Sequence, residues 1–170
     1  MSVVRSLLRA ARRNRARGQS LVLVALILPF LIAFVLTCIE VAERFWEKAA
    51  IEDALQQATR SSVQNFRYSA FAENSQSLDA TRVRDVARNT FIINLTGLRG
   101  MVQTPAEVAN QVTWTVLPNG GTCTYPSGHP SVSATTPMVC ATVNPRMTGL
   151  LGWGEWTPQI DAASTLDAVP

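Results

Sequence analysis

One histidine, three cysteines and twelve carboxylates are the groups from which this 170-residue chain could assemble a reactive site. Their spacing offers little chemistry. His129 stands between Gly128 and Pro130 in a loop, and with no second histidine a His-rich zinc site cannot form. The cysteines lack CxxC spacing, and no phosphate-cradling glycine motif, GxSxG elbow or pair of catalytic carboxylates occurs. The acids from Glu40 to Asp53 read as one helix surface, solvated or facing another subunit. No enzyme, no metal and no cofactor is expected. Trp153, Trp156 and Leu150–Leu151 read as a ligand-binding patch or as apolar surface packed in the core, the membrane or a partner.

One covalent bond is expected. Cys123 and Cys140 bracket a loop rich in Pro, Ser, Gly and Thr. In an oxidising compartment such a pair bridges, and closing a loop of this size contributes about 3 kcal/mol in the chain-entropy model. Two unpaired thiols are the alternative. Cys38 reads as a small apolar filler.

The compartment follows from the elements that carry these residues. Leu21 to Ile39 contains no charge, and nineteen helical residues rise close to the ~30 Å hydrocarbon thickness of a bilayer. Six arginines and no acid precede this run; nine basic and twelve acidic residues follow it, so a net charge of +3 hides a split of +6 and −3. Basic residues beside a span stay cytoplasmic, which puts the N-terminus inside and residues 40–170 outside. The same arginines need no nucleic acid to explain them. A cleaved secretory signal would have a shorter apolar core and a small-x-small site. Lipidation at Cys38 fits poorly with Thr37 before it. A retained helix is the reading that fits, with Pro29 as a mild kink rather than a hinge.

From Glu40 the same helix is expected to continue into water to about Phe66, since no Pro or Gly lies between Pro29 and Gly97. Phe45, Ala49, Ile51, Leu55, Ala58 and Ser62 form its ragged apolar stripe. Tyr68 to Ser77 reads as a loop. Ser77 or Asp79 would cap a second helix to about Asn94, burying Leu78, Val83, Val86, Ala87 and Phe91. Ala109 to Leu117 alternates, with Val112, Trp114 and Val116 on one face, and Pro118-Asn119-Gly120-Gly121 turns the chain. Met138 to Val143 and Pro158 to Leu166 are further strands, with Ile160, Ala162 and Ser164 on one side. The fold class expected is α+β: a long N-terminal transmembrane and amphipathic helix, then a small domain with one helix on a three- to four-stranded antiparallel sheet. The division expected is a basic leader over 1–18, a spine helix over 19–67 and a small exported domain over 68–170.

Arg17-Gly18-Gln19-Ser20-Leu21-Val22, with Ala25-Leu26-Ile27-Leu28-Pro29-Phe30-Leu31, resembles the N-terminal signature of TadE-like and TadG-like proteins. These are minor pilin-like subunits of the tight-adherence (Flp) branch of type IV pilus machinery. The likeness continues in Ile39-Glu40-Val41-Ala42-Glu43 and Ala54 to Arg60, and more loosely in Ala141-Thr142-Val143-Asn144-Pro145 and Ile160 to Leu166. The resemblance implies a structural or assembly role in the cytoplasmic membrane or a surface pilus. The partners implied are other pilin-like subunits, pilus machinery and a prepilin peptidase that would cut between Gly18 and Gln19. It also implies a helix assembly surface that includes Leu23, Pro29, Glu40 and Glu43. In the pilin pattern the fifth mature residue is Glu; counted from Gln19, it is Leu23 here. TadG-like members can lack that Glu and remain uncleaved anchors. The alternative function is an envelope-anchored binding domain for which the helix is a mere tether.

Overall fold

The computed structural model describes residues 2–73, 79–126, 130–149, 151–152 and 154–166, with side chains described over 21–65 and from 79 onward. The element order is α1 (Ser2–Glu73), α2 (Ala80–Leu95), α3 (Pro105–Gln111), β1 (Thr113–Leu117), β2 (Gly121–Cys123), β3 (Val132–Ala134), β4 (Met138–Val143), β5 (Met147–Thr148), β6 (Glu155–Trp156) and β7 (Ile160–Thr165). Two compact units divide inside α1, Met1–Ala42 and Glu43–Pro170. The helix expected as one spine over 19–67 is thus shared between them.

In the first unit the helix runs on through Pro29, and every side chain from Leu21 to Ile39 is exposed. The one hydroxyl at its far end is satisfied within the helix, Thr37 Oγ1 donating to the Ala33 carbonyl at 2.8 Å. That removes the cost of an unpaired donor in an apolar setting.

The second unit is α+β. Its sheet has the order β1-β4-β7, antiparallel throughout, and β2-β3 and β5-β6 form two short ribbons. Register puts Val139, Ala141 and Val143 of β4 on the face shared with Val116, Trp114, Ile160 and Ala162. That face packs on the helices: Ile51, Ala54, Leu55 and Ala58 of α1, Phe91 and Leu95 of α2, and Val108 and Ala109 of α3 belong to the same buried cluster. Each fully buried large side chain contributes about 1.5–3 kcal/mol by removal from water. Phe91 meets Trp114 edge to face, with ring centroids 6.5 Å apart. The second face of β4 is buried as well, Met138 and Cys140 packing with Cys123 under the β2-β3 ribbon. A central strand covered on both sides reads as a continuous apolar run, and Met138 to Val143 does.

Two boundaries and one helix face differ from expectation. Helix α1 continues to Glu73, since Tyr68 to Glu73 contains alanines and no Gly or Pro. Ala109 to Gln111 is helical: Thr104 caps α3 in a capping box with Glu107, and Pro105 occupies its first turn. The stripe on α1 is also rotated from that expected. Phe45 and Ala49 are exposed, whereas Glu47, Ala54, Thr59 and Val63 are buried with Ile51, Leu55, Ala58 and Ser62. Asp79 caps α2, accepting from the backbone of Thr81 at 2.9 Å and Arg82 at 3.3 Å; Ser77 and Leu78 lie outside the described residues.

Candidate functional site

Among the described residues the longest continuous run of exposed apolar side chains is Leu21 to Ile39, including Phe30 and Phe34. Among the described residues it is the one segment long and apolar enough to cross a membrane. A patch of that size bare to water marks an interaction surface. Leu23 and Pro29 lie exposed on it, and so does Cys38, which therefore fills no gap within the described residues. Glu40, the first charge beyond the run, is only 2% exposed. Gly18 and Gln19 fall in the helical backbone, in the part whose side chains are not described.

In the second unit Glu43 is half-buried, with Oε2 enclosed and without a hydrogen-bond partner. Arg44 donates to the Gly154 carbonyl at 3.4 Å and lies 6.0 Å from the centre of the Trp156 ring, within cation–π range. The Glu47 carboxylate is folded against Gly100, whose φ of +81° belongs to the left-handed region; a β-carbon there would overlap that carboxylate. Loop 100–103 is stitched to 146–148: Thr148 N donates to the Gly100 carbonyl at 2.7 Å and Val102 N to that of Arg146 at 3.0 Å. Arg146 N donates to Gln103 Oε1 at 2.9 Å. Trp156 is half-buried against the main core, and Trp153 and Leu150 lie outside the described residues.

The expected bridge is present. Cys123 and Cys140 are bonded with Cα atoms 6.1 Å apart, within the range a disulfide spans, and they tie β2 to the central strand. Beside it is a shallow cavity of about 160 Å³ lined by Thr113, Thr115, Thr122, Thr124, Tyr125 and Thr142 among others. Burial, then the charge of Asp161, push the Tyr125 hydroxyl above its ordinary pKa. A more open groove of about 360 Å³ lies between Asp53, Gln56, Gln57 and Arg60 of α1 and Ala163 to Thr165 of the edge strand β7. Neither holds a nucleophile paired with a base. His129 lies outside the described residues, and no three of His, Cys, Asp or Glu among those described are placed to share a metal.

Compared with protein-family models, with curated proteins and with solved structures, the chain has no match. The exposed pair Phe45-Trp46, six and seven residues beyond the apolar run, is a signal that reading by helical stripe passes over. Aromatic residues at that position are the usual flank of a span. The Glu47–Gly100 contact left no trace in sequence beyond a glycine following Arg99.

Proposed function

We propose that this chain is a structural, pilin-like subunit of a tight-adherence (Flp, type IV-like) pilus, of the TadE-like and TadG-like kind. In this reading Leu21 to Ile39 sits in the cytoplasmic membrane, the arginine-rich leader lies inside, and the domain from Glu43 onward lies outside. One observation carries the reading over that of a tethered binding domain. Ile51, Ala54, Leu55 and Ala58 of α1 are part of the domain's own hydrophobic core, whereas a tether would leave that helix solvated on all sides. A helix built into its domain at one end and bare and apolar at the other suits lateral packing with like helices.

The subunit would carry Glu40 and Glu43 beside its apolar surface and would be cut, where it is cut, between Gly18 and Gln19. The test is intact mass of the membrane-extracted protein together with co-purification of pilus components. A mature start at Gln19, or an uncleaved chain that co-purifies with pilin-like subunits and the secretion ATPase, is the expected result. A lipidated start at Cys38, a start beyond Glu40, or purification free of all pilus components defeats the proposal.

A further inference from the structure

We infer that the folded domain rests one end on the lipid headgroups of the membrane that holds Leu21 to Ile39. Three parts of the second unit meet at that end. The first is the start of its helix, where Phe45 is 70% and Trp46 78% exposed. Trp46 is seven residues from Ile39, so the chain holds it within roughly 10–25 Å of the end of the apolar run, helical or fully extended.

The second part is brought there by the fold. Val63 of α1 packs in one cluster with Val83 of α2, Asn94 donates to Gln57 at 3.3 Å, and Gly100 lies against Glu47. Rising positions on α2 thus meet falling positions on α1, and the loop after α2 returns to the level of Glu47. That loop exposes Val102, at 43%, and Arg99. The third part is the turn before β6, held there by the Arg44 bond to Gly154.

The chemistry of this end matches a headgroup layer. Trp and other aromatics prefer that layer, and anionic headgroups attract basic side chains. Arg99 is exposed, Glu47 is withdrawn into the fold, and exposed Glu155 is offset by Arg146 at 3.9 Å. The hydrogen bonds joining loop 100–103 to 146–148 give the end a fixed shape. Continuity with the apolar run selects the bilayer as the occupant.

This inference rests on the reading of Leu21 to Ile39 as a span, and the test separates the two. In a Cys38→Ser background, with Cys123 and Cys140 bonded, spin labels are placed singly by Phe34→Cys, Trp46→Cys, Val102→Cys and, as an aqueous control on α2, Arg84→Cys. The full-length chain is reconstituted in phosphatidylcholine–phosphatidylglycerol vesicles, and collisions with oxygen and with a water-soluble nickel chelate are compared. Labels at 34, 46 and 102 are expected to favour oxygen and the label at 84 the chelate. With Val102→Cys, the added changes Phe45→Ser and Trp46→Ser are expected to raise chelate access. A label at 102 as open to the chelate as that at 84, while that at 34 favours oxygen, overturns the docking and leaves the span. A label at 34 that favours the chelate overturns both.

Discussion

Replacing Leu55 by Ala tests whether the outer part of α1 belongs to the domain. Leu55 is completely buried among Ile51, Ala58, Phe91 and Ile160. The change deletes three carbons, about 2.4 kcal/mol at ~0.8 kcal/mol per buried methylene. A cavity left in a close-packed cluster raises the total to about 3–4 kcal/mol. Alanine is the better helix former, so no helical propensity is lost and the measured change reports packing. Against a domain stability of about 5–15 kcal/mol this is a large share. Urea titration of the full chain in detergent micelles, followed by near-ultraviolet circular dichroism of the aromatic side chains, with Phe91 and Trp114 packed at the core, supplies the assay. With a slope of about 2 kcal/mol per molar, the midpoint should fall by about 1.5–2 M. Gln56→Ala, one residue along and exposed, should stay within about 0.5 kcal/mol of the parent. If Leu55→Ala behaved like Gln56→Ala, the helix would be a stalk and the case for a built-in spine would be refuted.

Three further outcomes follow from single contacts. Gly100→Ala should destabilise the domain by more than the ~1 kcal/mol of a left-handed non-glycine residue, because its β-carbon meets the Glu47 carboxylate; Glu47→Ala in the same chain should recover part of the loss, read by the same titration. Reduction of Cys123–Cys140, or the pair Cys123→Ala and Cys140→Ala, should cost about 3 kcal/mol and loosen the β2-β3 ribbon first, measured by thermal unfolding and amide exchange. The backbone N–H and hydroxyl of Thr104, at 2.8 and 2.9 Å, hold Glu107 below the ordinary carboxylate range. A carboxyl depressed on folding stabilises above its unfolded value of about 4.3 and loses that contribution as pH falls through the folded value. NMR titration should therefore show the Glu107 carboxyl rising toward its ordinary value in Thr104→Ala.

The legible parts of the fold were those set by local pattern. Charge-free length marked Leu21 to Ile39, alternation marked Val112, Trp114 and Val116 as one side of one strand and Ile160, Ala162 and Ser164 as one side of another, and Asp79 sat where a cap was needed. What escaped was decided at longer range or by competing local signals. Thr104-Pro105-Ala106-Glu107 carries a complete capping box, yet the alternation that begins at Ala109 overlaps the end of the helix it starts and drew the strand four residues too far back. Phe45 fits a helical stripe by spacing, but the buried side of α1 is chosen by where β4 and β7 lie, and they lie beside Ala54 and Ala58. Strands of two or three residues, such as β5 and β6, have too few positions for any period to register. The Tyr125 and threonine cavity depends on a ribbon that the disulfide folds over the sheet, which no spacing within either segment encodes.

Synthesis delivers the two halves of the core at different times. The stripe Ile51 to Ala58 is made early, and its partners Ala141, Val143, Ile160 and Ala162 come about 80–110 residues later. The hydroxyl of Thr59 bonds at once to the Gln56 carbonyl, but its second contact, to Ser164 at 2.8 Å, comes only with β7. At about 5–20 residues per second that interval is on the order of 5–20 s, far longer than hydrophobic collapse takes. During it only Phe91, Leu95, Val108 and Ala109 of α2 and α3 are there to cover the stripe, and the side that belongs to the sheet stays bare. The nascent chain therefore needs shielding by a chaperone or by the membrane until β7 closes the sheet. Any truncation before Ile160 would make that temporary exposure permanent and turn the chain into a substrate for proteolysis.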